Sequence, residues 1–154
     1  AMEAQFDKRR ELLIDQDQVE TRAGSRYSYT DAFTAYESFM LKGKLTYTGK
    51  GSFGLAFDYN GQDDKTKIIC LNPKEQKLQL TFNEGSTLIT ETDVPLEAGK
   101  EYSFTYIQEG SAGIFWLGDE ASLTVRLYGV SGKAIRLFAE NNTITWTDLR
   151  EYTR

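Results

Sequence analysis

Apolar and polar residues alternate with period two in one segment after another along the chain, while a 3.6-residue period is nearly absent. Successive side chains of a strand point to opposite faces, so each such segment reads as a strand with one buried and one wet face. Phe53, Leu55 and Phe57 alternate with Gly54, Ala56 and Asp58, and Leu78, Leu80 and Phe82 alternate with Gln79 and Thr81. Tyr102, Phe104 and Tyr106 alternate with Ser103 and Thr105, and Leu123, Val125 and Leu127 with Thr124, Arg126 and Tyr128. The first set of each pair is predicted core. Turn signals separate the segments at Gly49-Lys50-Gly51, Asn60-Gly61, Asn72-Pro73, Asn83-Glu84-Gly85, Ala98-Gly99, Glu109-Gly110, Ser131-Gly132 and Asn141-Asn142. This spacing predicts roughly a dozen short strands in an all-β, two-sheet antiparallel sandwich with less than ~10% helix. Phe6 to Tyr36 follows the pattern least, and Glu11-Leu12-Leu13-Ile14 fits either a strand or a short helical turn.

Composition narrows the picture. A length of 154 residues with 40% hydrophobic and 27% charged positions predicts one globular domain whose core needs neither disulfides nor a structural metal. We place that domain at residues 6–154. Residues 1–5 form a tail, and Ala1 before Met2 reads as a cloning remnant on a module cut from a longer protein. Cys70, the single cysteine, lies in the apolar run Ile68-Ile69-Cys70-Leu71 and is predicted to be a small buried hydrophobe. With 18 Lys and Arg against 23 Asp and Glu, the net charge of -5 repels a phosphate backbone, so nucleic acid is not an expected partner. No stretch approaches the ~20 apolar residues of a membrane-spanning helix, so no membrane partner is expected either.

Histidine is absent, which removes the commonest general base and every imidazole-dependent triad. Carboxylate chemistry of the glycosidase kind survives, although no acid–base pair stands out along the chain. Gly49, Gly51 and Gly54 spell G-x-G-x-x-G, but a dinucleotide fingerprint needs a following helix and here a strand follows. The glycines read as a turn, with Gly54 admitting a neighbouring backbone or a ligand. Asp58, Asn60, Gln62 and Asp64 put oxygen ligands at alternate positions of a loop, a partial match to calcium-type clustering that lacks the closing glutamate. No cofactor is expected, and calcium is the one metal this loop brings into view. Two tryptophans offer indole faces on which a sugar ring can stack. Trp146 shares parity with Ile144 and reads as core; Trp116 lies in Gly113-Ile114-Phe115-Trp116-Leu117, apolar on both faces, so its side is open.

The stretch from Gly113 to Tyr152, GIFWLGDEASLTVRLYGVSGKAIRLFAENNTITWTDLREY, resembles the β-sandwich that follows the catalytic propeller in glycoside hydrolase family 32, the family of levanases, inulinases and invertases. Phe53-Gly54-Leu55-Ala56-Phe57-Asp58 and Tyr102-Ser103-Phe104-Thr105 also look like this group, and like the related carbohydrate-binding module family 66. The resemblance implies a concanavalin A-like, jelly-roll sandwich that binds a fructan (levan or inulin), a fructo-oligosaccharide or a terminal fructose, beside the catalytic domain of a parent enzyme. The N-D-P-N-G, R-D-P and E-C motifs of the family's propeller are missing, so no hydrolysis is expected. The alternative reading is a structural sandwich that stabilises such a propeller without touching sugar. An extracellular or cell-surface location follows only if the parent polysaccharidase is exported. Side-chain chemistry and alternation nominate Glu37, Asp58, Asp119 and Arg126 for hydroxyl contacts, with Trp116 or Tyr128 as the apolar platform.

Overall fold

The computed structural model describes residues 2–14, 19–23, 27–59, 62–82, 84–128 and 132–154, with side chains described throughout these except at 19, 21–23, 58–59 and 62–64. In chain order the strands are β1 (Lys8–Arg10), β2 (Val19–Ala23), β3 (Ser28–Thr34), β4 (Ser38–Tyr47), β5 (Phe53–Tyr59), β6 (Gln62–Asn72), β7 (Lys77–Phe82), β8 (Thr87–Asp93), β9 (Tyr102–Glu109), β10 (Ala112–Leu117), β11 (Ala121–Arg126), β12 (Ala134–Ala139) and β13 (Asn142–Thr153). A 3-10 turn at Met2–Gln5 is the one helical element among the described residues. The chain is an all-β sandwich. One sheet has seven strands in the order β1-β13-β4-β9-β10-β11, with β2 also paired to β13; the other has six, in the order β3-β12-β5-β6-β7-β8. The pairings are antiparallel.

The inward parity of each strand meets that of the opposite sheet, which is what alternation requires of a sandwich. Leu55, Phe57, Leu78, Leu80, Tyr102, Phe104, Tyr106, Leu123, Val125 and Leu127 are all buried. Trp146 is buried at the centre, edge-on to Phe104 with ring centroids 5.8 Å apart and to Phe53 at 6.4 Å, while Phe104 stacks on Phe115 at 5.9 Å. Phe82, predicted core, is only half-buried: it is the last residue of β7, where Lys67 is its strand partner. Glu11 to Ile14 forms neither strand nor helix. It bridges the sandwich edge, with the Leu13 N–H donating to the Ala32 carbonyl at 2.8 Å and Leu12 and Ile14 packed on the core.

The glycine motif is explained by backbone approach. A Cβ on Gly51 would lie 1.6 Å from the Glu140 carbonyl oxygen and one on Gly54 would lie 1.9 Å from that of Ile69, so both positions admit only glycine. Asn142 is the first residue of β13 rather than part of the preceding turn. Its buried amide accepts from the Gly49 N–H at 2.6 Å and donates to the Gly51 carbonyl at 2.8 Å, fixing the β4–β5 turn against the start of β13.

Candidate functional site

The outer face of the six-stranded sheet is not a plain solvated surface. Outward-facing Ala56, Ile68, Cys70 and Phe138 form a second apolar cluster, with Tyr29 packed beside it. It exists because β6 and β12 are apolar on both parities, so part of the outward face must be covered. Tyr27, entering from the segment before β3, supplies the cover: its ring lies 5.3 Å from that of Phe138, and Tyr29 meets the same ring at 5.6 Å. The Tyr27 hydroxyl donates to the Glu84 carbonyl of the β7–β8 turn, tying two loops 57 residues apart over the sheet. Burial, and next the adjacent Glu140 carboxylate, push the Tyr27 phenol up to about 12. Cys70 lies beneath, buried and pushed up to about 12 by desolvation, which leaves it an inert thiol.

These groups border a recess of about 220 Å³. Its walls combine Tyr27 and Phe138 with Asn72, Gln79, Glu84 and Glu140. The amides are already oriented: Asn72 donates to the Gln79 side-chain oxygen at 3.4 Å, and Gln79 donates to Glu91 at 3.0 Å across neighbouring strands. At the floor, the Thr81 side chain is 4% exposed and its hydroxyl has no hydrogen-bond partner among the described residues. A buried hydroxyl left unpaired carries a desolvation cost that a bound polar ligand relieves. An aromatic ring beside fixed amides and carboxylates suits a sugar, whose apolar C–H face and hydroxyl edge need opposite surroundings. The recess is smaller than the ~300–1,000 Å³ clefts of drug-sized ligands, so it holds about one ring.

Of the nominated residues whose side chains are described, Trp116 and Asp119 lie apart from Glu37, Arg126 and Tyr128. Trp116 lies on the outer face of the seven-stranded sheet, half-buried among Phe6, Met40, Ile107 and Tyr152. The recess beside it, about 340 Å³, has only Glu3 and Thr105 as polar neighbours of Met2, Ile107, Trp116 and Gly118. Asp119 is exposed in the turn between β10 and β11, whereas Arg126 ends β11, roughly 20 Å further along at ~3.3 Å per residue. Arg126 is exposed and pairs with Ala112 near the β9–β10 turn. Glu37 is at that same end, exposed, its carbonyl accepting from the Gly110 N–H at 2.8 Å. Tyr128 lies at this end too, its ring 5.7 Å from the Lys67 ammonium of the other sheet, which also donates to the Arg126 carbonyl. The side chains of Asp58, Asn60, Gln62 and Asp64, and with them the calcium reading, lie outside the described residues; among the described ones no cluster of three or more metal-ligating side chains occurs.

The sandwich belongs to a fold class shared by several carbohydrate-active proteins of solved structure. A carbohydrate-binding module, CBM66, from Bacillus subtilis superposes with a TM-score of 0.72 at 16% identity, covering 87% of this chain and 86% of its own. A fructosyltransferase from A. japonicus matches at a TM-score of 0.66 and 11% identity over 90% of this chain, and a β-fructofuranosidase from Aspergillus kawachii at 0.64 and 9% over 90%. The chain spans about a quarter of the length of those two enzymes, 26% and 27%. No protein-family model matches the sequence, and no curated protein matches it.

Proposed function

We propose that the domain is a non-catalytic carbohydrate-binding module that takes a fructan, through one fructose ring, in the recess between Tyr27 and Thr81, as an ancillary part of a larger fructan-processing enzyme. The observation that carries this reading is the convergence of the Tyr27 ring, fixed amides and a buried hydroxyl without a partner among the described residues on one ring-sized recess. Its supports are the fold likeness to a carbohydrate-binding module, the fructosyl chemistry of the two enzymes that contain a similar sandwich, and the family resemblance of the Gly113–Tyr152 stretch. The role of the chain is positional: Tyr27, backed by the buried Phe138, packs on the ring's apolar face while Gln79, Thr81 and Glu140 meet hydroxyls. Isothermal titration against levan, inulin, sucrose and an unrelated glucan tests it. Saturable heat with a fructan and none with the glucan is expected, with Tyr27→Ala weakening the affinity about tenfold through loss of the stacking face. Silence toward every fructan contradicts it and leaves the scaffold role, for which the apolar Trp116 face is the available contact surface.

A further inference from the structure

At the end of the sandwich where the edge strand β11 meets β7, the inward parity of β6 changes character. Leu71 and Ile69 are core, but the next two residues on that side, Lys67 and Lys65, are cationic. Phe82, the strand partner of Lys67, lies beside them half-buried, and Tyr128, 58% exposed, closes the other side. Lys65, Lys67, Phe82 and Tyr128 line a recess of about 420 Å³. The Lys67 ammonium donates to the Arg126 carbonyl at 3.2 Å and lies 5.7 Å from the centre of the Tyr128 ring, which aims it across the recess. An ammonium has three N–H donors, and the carbonyl takes one.

Among the described residues no carboxylate lines this recess, and neither Lys65 nor the Arg126 guanidinium makes an ion pair. Two lysines between two aromatic rings make the lining cationic among the described residues, in a chain of net charge -5. Such a lining favours an anion that places a flat apolar face on the rings. The patch is too small for a polyphosphate backbone, which needs a basic surface extending over several charges.

We propose that this recess is a second binding site, for a saccharide carrying an anionic group, either carboxylate or sulfate. The sugar ring packs on Tyr128 and Phe82, and Lys65 and Lys67 hold the anion. Fructans are neutral, so this site is independent of the fructan reading.

Titration at low salt with trigalacturonate, with a sulfated galactose oligosaccharide and with neutral galactotriose tests it. Binding of at least one charged probe is expected, and the tighter of the two identifies the group. About 0.5 M salt should abolish that binding, as screening of exposed charges requires. Lys65→Gln and Tyr128→Ala should each weaken it about fivefold to tenfold, since exposed charge contacts and ring stacking are individually modest. Both side chains are exposed, so the fold is retained, and Tyr27→Ala should leave this affinity unchanged. Binding of neither charged probe, equal binding of galactotriose, or undiminished affinity in Lys65→Gln overturns the proposal.

Discussion

Glu151 shows how much a single side chain can set. It occupies an inward position of β13, is fully buried, accepts from the Thr34 N–H at 3.0 Å through Oε1, and has no partner for Oε2 among the described residues. Desolvation pushes its carboxyl up to about 8, against the smaller opposing effects of the Thr34 N–H and of Arg10. An acid whose pKa is raised by folding binds its proton more tightly in the folded state. Its stabilising contribution is therefore complete below about pH 4.5, falls as pH rises toward about 8 and then levels. Chemical denaturation across this range should show wild type losing roughly 2 to 4 kcal/mol, the ceiling being about 1.4 kcal/mol for each pH unit of that interval. Glu151→Gln cannot ionise and should flatten the profile, being the more stable protein at pH 9. A variant profile parallel to wild type would show that another group carries the pH dependence.

Among the elements, β9 sits at the heart of the core. Phe104 touches both Phe115 and Trp146, so Phe104→Ala should cost about 3 to 5 kcal/mol and lower the melting temperature by roughly 10 °C. An unchanged melting temperature would contradict the assignment of Phe104 to the centre. This strand, like β5, β7 and β11, was legible in the sequence because one face is wet and the other dry, and the parity of each follows from alternation alone. Phe82 escaped that logic because parity says which way a residue points and not how deeply the last position of a strand is covered. The outer recess was hidden for a different reason. In Ile68-Ile69-Cys70-Leu71 and Leu137-Phe138-Ala139 both parities are apolar, a sign that an outward face is covered, but nothing along the chain says what covers it. Tyr27 and the Glu84 carbonyl meet over a sequence separation of 57 residues, and Gln79, Thr81 and Phe138 join them only through the order of β12, β5, β6 and β7. The residue types suited to a sugar were readable, whereas their convergence depends on register. Asp119 and Arg126 illustrate the converse, two suitable side chains held at opposite ends of one strand.

The whole molecule is a sandwich with a ring-sized recess on one outer face, and its proposed role is binding without catalysis. The purified domain should release no reducing sugar from sucrose, inulin or levan, since retaining hydrolysis needs a nucleophile and an acid about 5 to 5.5 Å apart about the scissile bond. Release that disappears in Glu140→Ala, with the fold intact, would contradict a purely binding role. The functional reading stands or falls on whether fructan binds at the outer face of the six-stranded sheet. Amide chemical-shift mapping during titration with a levan oligosaccharide decides this. Perturbations centred on Tyr27, Gln79, Thr81 and Phe138, saturating together and lost in Tyr27→Ala, are expected; perturbations confined to the Trp116 face or to the Glu37–Arg126 end would contradict it.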